Sequence, residues 1–266
     1  MISQLIYNGK NLREFGITIE HLPESVHPQR RGDAYRIAGR NGTRRREDGT
    51  FENYDQPYEV WFKDFAANRD VYQLSRDLAG FLLGSSDFCR LEDTYEPDVF
   101  RLACYAGPMN VAAVLRRYGR ATLVFDCLPE RYLKSGEKAI TVMENVACED
   151  LVSYDLQNPT GMLARPLIRV TGSGGWLYFA LYADGYTGLH LGVRLDSRNT
   201  VIFDSENCTV KFEDGTEANS VTKLFDDNEY PVWPVLWPKT TTIHHGRYSN
   251  GGTIEKMEII PRWWSP

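Results

Sequence analysis

The residues of this chain best suited to acid–base chemistry are Asp204 and Glu206, in the stretch VIFDSEN. Two positions apart on a strand they would share a face and approximate the carboxylate pair of a glycosidase, one donating a proton to the leaving group and the other acting as base or nucleophile. The same DSEN also reads as a polar turn between Phe203 and Cys208, and a carboxylate on a turn is ordinarily solvated. Other catalytic patterns are missing. The sequence has no Gly-x-Ser-x-Gly, no His-Glu-x-x-His, no Walker lysine loop and no dinucleotide fingerprint before a helix. GSGG at 172–175 joins two strand-like runs with no helix behind it to bind a phosphate, so it reads as a hairpin turn. His244 and His245 are adjacent, which on a strand sends them to opposite faces and prevents them from holding one ion. Cys89, Cys104, Cys127, Cys148 and Cys208 form no Cys-x-x-Cys pair; an odd, scattered set reads as reduced, buried thiols. No catalytic residue, cofactor or metal is expected.

Binding is a stronger theme than catalysis. Trp176, Trp233, Trp237, Trp263 and Trp264 could supply an aromatic platform for a sugar, or could complete a core or an interface. Trp263 and Trp264 alternate at the C-terminus, so at least one should be buried. Arg44, Arg45 and Arg46 form a basic triplet, but Glu47 and Asp48 follow at once and no stacking aromatics accompany it. A solvated loop, or an arm meeting an acidic neighbour, fits this segment better than a nucleic-acid site. From Met1 to Ser135 there are 19 Lys+Arg and 19 Asp+Glu; the remainder has 11 and 17 and carries the whole net charge of -6. Neither part is a basic nucleic-acid binder in bulk.

The elements that must hold these residues are mostly strands. Period-2 alternation marks SQLIYNG, AYRIAG, YEVWF, VFRLACYAG and RATLVFDCL in the first part, with turn signals at Asn41-Gly42 and Asp48-Gly49. One helix interrupts them at 69–83: Val71, Leu74, Leu78, Phe81 and Leu82 recur at helical spacing, Asn68 can cap the start, Asp70 suits the first turn and Gly84 the end. Residues 136–157 read as an ordered connection with a Ser135-Gly136 turn and one or two strands. From 158 onward short alternating runs separated by Gly, Asn and Asp indicate an antiparallel sandwich, with hairpins at Asp214-Gly215 and Asn250-Gly251-Gly252. YPVWPVLWPKTTT is too rich in proline for a central strand and should cross the end of the sandwich. The reading is mainly β: an N-terminal sandwich or split-barrel-like domain at 1–135 with one packed helix, then a β-sandwich at 158–266. No apolar run is long enough to span a membrane, and MISQLIYNGKNLREFG lacks the pattern of a signal peptide.

Several segments in a fixed order carry a resemblance. LIYNGKNLREFGITIEHL, IAGRNGT with EDGTFENY, CLPERYLKSGE, NPTGMLARPLIRVTGSG, VIFDSEN with FEDG, and MEIIPRWW together resemble the distal tail (Dit) proteins of siphovirus-type bacteriophages and prophages. The resemblance implies a structural protein of the tail tip, or baseplate hub, without catalysis. It implies a homohexameric ring, with two stacked rings as a variant, that joins the tail tube to the host-adhesion apparatus. The implied partners are the tail tube protein, a tail-associated hub or lysin protein, and receptor-binding or baseplate proteins, with DNA passing through the central channel without specific binding. It further implies a ring-forming N-terminal domain, a galectin-like C-terminal sandwich, synthesis in the host cytoplasm and residence in the virion. In that setting Arg40, Arg44, Arg45 and Arg46 become contacts between protomers, and Trp263 and Trp264 core or contact aromatics. One departure concerns sugar binding: HLGVR has His190 and Arg194 but Gly192 where the galactose-binding pattern of galectins has asparagine. The alternative reading is a carbohydrate-binding sandwich of a host-recognition protein.

Overall fold

The computed structural model describes residues 4–63, 69–105, 107–147, 150–245 and 252–266. Asn68, Cys148 and the Asn250-Gly251 turn lie outside them. The chain divides into two compact units, Met1–Tyr132 with Pro266, and Leu133–Ser265.

The first unit is a curled antiparallel sheet whose order is Lys10–Asn11, Leu5–Tyr7, Cys89–Asp93, Val99–Tyr105, Tyr118–Leu133, Tyr54–Phe62 and Ile17–Ile19. Tyr54–Phe62 shows why it forms: Tyr54, Tyr58, Val60 and Phe62 point inward and are buried, while Asp55, Glu59 and Trp61 point out. Phe125 stands at the centre of the core, with the rings of Tyr7, Tyr105 and Tyr58 at 5.1, 5.5 and 6.0 Å. The helix Val71–Leu82 closes this core with Leu74, Leu78 and Leu82, and Val71 at its start is buried as well. Its cap is Asp70, whose carboxylate accepts from the Gln73 amide at 2.9 Å while the Gln73 side chain accepts from the Asp70 amide at 3.1 Å. A capping box needs a partner three residues on, and Asp70 has one in Gln73. One end of the core holds a charged network. Arg101 is 3% exposed and bonds the Tyr54 hydroxyl, Asp93 and Glu96, and Arg131 shares Glu96. Burial works against ionisation of Glu96, but the two guanidiniums outweigh it and lower its pKa.

Two strands stand apart from this sheet. Arg30–Tyr35 and Arg44–Phe51 pair with one another as a two-stranded ribbon, and every residue of the first is exposed. Asn41-Gly42 lies in the connection between them, with Gly42 at φ 83°. Asp48-Gly49 is not a turn, as its dipeptide signal predicts. Gly49 sits inside the second strand at φ 82°, across from a register shift between Arg30 and Gly32, so its left-handed backbone makes a bulge.

The second unit is a sandwich of two five-stranded antiparallel sheets. One runs Ile140–Ala147, Thr253–Ile260, Leu167–Ser173, Asn199–Asp204, Thr209–Phe212; the other Val152–Asn158, Lys239–His245, Gly175–Tyr182, Leu189–Leu195, Thr222–Asp226. Residues 136–157 thus supply an edge strand to each sheet. Ile168, Val170, Val201, Phe203, Ile254, Met257 and Ile259 meet Leu177, Phe179, Leu181, Leu191, Val193 and Ile243 in the core, all at most 2% exposed. Burying each such side chain contributes about 1.5–3 kcal/mol.

Three expectations change here. GSGG is not a hairpin turn: Leu167–Ser173 and Gly175–Tyr182 belong to different sheets, and Gly174 and Gly175, at φ 91° and 143°, carry the chain from one to the other. The proline-rich passage is irregular as expected through Pro238, held by paired backbone bonds between Ala164 and Leu236, but Lys239–His245 then forms an inner strand. Pro238 ends the obstruction, and the β-branched Thr241 and Ile243 alternate inward from there. Among the described cysteines all are free thiols, yet only Cys127 is buried, and Cys208 is exposed. Burial pushes the Cys127 thiol up to about 12.

Candidate contact surfaces

The carboxylate pair is occupied by a structural partner. Arg262 reaches back across 58 residues to clamp Asp204 through two nitrogens at 2.6 and 3.2 Å, and its Nη1 lies 3.2 Å from Glu206. Asp204 also accepts from the amides of Glu206 and Asn207, closing the DSEN turn on itself. Burial alone would raise the Asp204 pKa, but the bonds from Arg262 and Asn207 outweigh it and bring it down to about 2. Such a group is a poor proton donor or base near neutrality. The turn reading of DSEN is the one its hydrogen bonds support.

The arginine candidates are gathered on the two-stranded ribbon. Arg44, Arg45 and Arg46 lie opposite Tyr35, Ala34 and Asp33, so Arg44 and Arg46 share one face and Arg45 takes the other. Arg40 is in the connecting loop. All are exposed. Asp33 faces Arg46 across the pair, and further acidic groups lie toward the other end, where Glu47 meets Arg30 at 3.1 Å and Glu52 meets Arg31 at 2.9 Å. The ribbon is therefore balanced at its root and basic toward its tip, with Tyr35 and Ile37 exposed beside the arginines.

The C-terminal tryptophans divide as their alternation requires. Trp263 is 4% exposed and belongs to the sandwich core, whereas Trp264 is half-buried and donates its indole N–H to the Leu163 carbonyl at 2.8 Å. Gly136 packs against the backbone of the buried one. A Cβ there would come within 2.4 Å of the Trp263 amide, so only glycine lets the 134–137 turn press against that backbone; Arg262 donates to the Gly136 carbonyl at 2.9 Å. Trp237 is also core, Trp233 packs against it, and Trp176 lies outward, stacked on Tyr178 at 5.6 Å. The five tryptophans thus form no single platform.

A curled antiparallel sheet with one packed helix, followed by a sandwich of two five-stranded sheets, defines a two-module β protein whose singled-out charged residues are engaged in structure or exposed. Solved structures share this whole arrangement. The Dit protein of phage SPP1, described as a paradigm of the hub adsorption apparatus in phages infecting Gram-positive bacteria, superimposes with a TM-score of 0.68 at 15% identity, covering 97% of this chain and 98% of that one. A chain of the phage P2 baseplate in its activated conformation with Ca matches at a TM-score of 0.50 and 11% identity, over the same shares of the two chains. No protein-family model matches the sequence, and no curated protein matches it. The chain has the fold of the SPP1 Dit protein over nearly its full length.

Proposed function

We propose that this chain is a distal tail protein of a siphovirus-type phage or prophage, the structural hub of a tail tip. The observation that carries this reading is the correspondence with SPP1 Dit across both units at once, 97% of one chain on 98% of the other. A shared sandwich alone would be common to many functions; the ordered pair of modules is far more restrictive.

In this reading the protein forms a homohexameric ring between the tail tube protein and the adhesion apparatus, in one layer or two. Its first unit builds the ring, and its galectin-like sandwich offers attachment to receptor-binding or baseplate proteins. The ribbon supports the ring. An isolated two-stranded hairpin is marginal in water, and this one is exposed along its first strand with a basic tip, so a neighbouring protomer is the natural cover for it. A cyclic ring presents two different faces to each neighbour, which allows Arg40, Arg44, Arg45 and Arg46 to meet acidic groups on the next copy. The balanced charge of residues 1–135 suits a channel through which DNA moves without being held. The mass of the purified protein in solution tests the ring: a six-fold multiple of the 30.5 kDa chain is expected, and a fixed dimer or trimer would overturn it.

A further inference from the structure

The outer face of the second sheet carries a feature that the hub reading does not use. Strand pairing aligns Ser153, His244, Ala180, His190 and Phe225 in one row across all five strands. Their side chains alternate with the buried core residues and so point outward. Along its own strand Ala180 is flanked by Tyr178 and Tyr182, two positions away on the same face. The short Ala180 side chain is therefore ringed by two imidazoles and two phenols, which leaves a recess with an aromatic rim.

The rim is built in. Gly192 pairs directly with Tyr178, and a Cβ there would come within 2.7 Å of the Tyr178 ring. A Cβ on Gly188 would come within 2.3 Å of the Tyr182 ring. Each glycine thus lets a tyrosine lie down over the neighbouring strand. His190 stacks on Phe225 with centroids 5.0 Å apart, and its Nε2 is 2.8 Å from the Asp227 carboxylate. Asp227 also accepts from the Gly188 amide at 2.7 Å. Tyr182 packs on His244 at 5.6 Å and edge-on to His190 at 6.0 Å. Together with Asp226 and Glu229 these residues line a groove of about 1080 Å³, ample for a ligand larger than one ring given that small-molecule sites run to roughly 300–1,000 Å³.

We infer that this groove binds a neutral pyranose unit of a glycan, seated on Ala180 between Tyr178, Tyr182, His190 and His244. A pyranose offers C–H groups to aromatic surfaces and hydroxyls around its edge; here rings supply the first contact, and imidazole, hydroxyl and carboxylate groups supply the second. The carboxylates of Asp226, Asp227 and Glu229 disfavour an acidic sugar or a phosphate. The site is unlike the galactose pattern sought around HLGVR, because the Tyr178 ring covers Gly192, where that pattern needs asparagine.

The test uses the full-length chain and saturation-transfer NMR with the methyl glycosides of glucose, galactose, mannose, rhamnose and N-acetylglucosamine, with galacturonic acid and trilysine alongside. At least one neutral glycoside should receive saturation on its ring protons, and galacturonic acid should not. Ala180→Phe fills the recess from an outward position without removing any contact; with its melting temperature unchanged, it should lower the transfer at least tenfold. Tyr182→Phe, which keeps the ring, should retain it. Silence from all five glycosides would overturn the inference, as would equal transfer to a folded Ala180→Phe protein. Transfer to trilysine alone would reassign the groove to a basic partner chain.

Discussion

Asp204 illustrates how a residue's chemistry depends on a partner that its local sequence does not name. DSEN contains two carboxylates at a productive spacing, but Arg262 arrives from 58 residues away and turns them into a clamp. The clamp should be visible in acid. The folded-state pKa of Asp204 is depressed from 3.8 to about 2, so its stabilising contribution is full above the unfolded value and is lost as pH falls from about 4 through 2. For a partly exposed pair this amounts to on the order of 1–2 kcal/mol. Urea unfolding at successive pH values should show that loss in the parent and a shallower slope in Arg262→Ala; equal slopes would mean the clamp does not hold the carboxylate down. Trp263 gives a second residue-scale prediction. Its truncation to alanine should cost about 3–5 kcal/mol because it empties core volume, whereas Trp264→Ala, half-buried with one indole bond, should cost clearly less. Thermal melts with both variants equal would contradict the placement. The alternation of the pair was legible in sequence; the choice between them was not, since it depends on core contacts from residues distant in the chain.

At the scale of elements, periodicity exposed whatever has a wet face and a dry face. The helix was readable from its leucine spacing, and most sandwich strands from their alternation. Lys239–His245 was hidden because prolines precede it and threonines and histidines fill it, so its inward face is not plainly apolar. The role of 172–175 was hidden because glycine signals a turn without saying whether the next strand pairs with the last one or joins the opposite sheet. The ribbon was half legible: its tip was marked by Asn41-Gly42, but nothing local shows that its strands pair outside the main sheet. That isolation makes it the element to perturb. Replacing Arg44, Arg45 and Arg46 together with glutamate should weaken self-association at least tenfold, since rim charges contribute about 0.2–1 kcal/mol each and reversal adds repulsion. Far-UV circular dichroism should stay unchanged, because the arginines are exposed and outside both cores. Association that is unaffected by the triple reversal and by added salt would exclude the ribbon tip as a contact.

For the whole molecule, order mattered more than any single motif. No short segment is distinctive alone, and the chemistry-bearing residues resolve into clamps, caps and core, yet a helix-bearing curled sheet followed by a sandwich matches the fold of SPP1 Dit over 97% of the chain at 15% identity. One fold can be built by sequences this different, because a core requires volume and alternation more than particular residues. Charge is balanced through residue 135 and acidic beyond it. The proposed hub requires the chain to close into a ring, which light scattering after size exclusion over a range of concentrations detects as mass. The expected result is six times 30.5 kDa, about 183 kDa, or twice that for two stacked rings. A closed dimer or trimer whose mass does not change with concentration would contradict it.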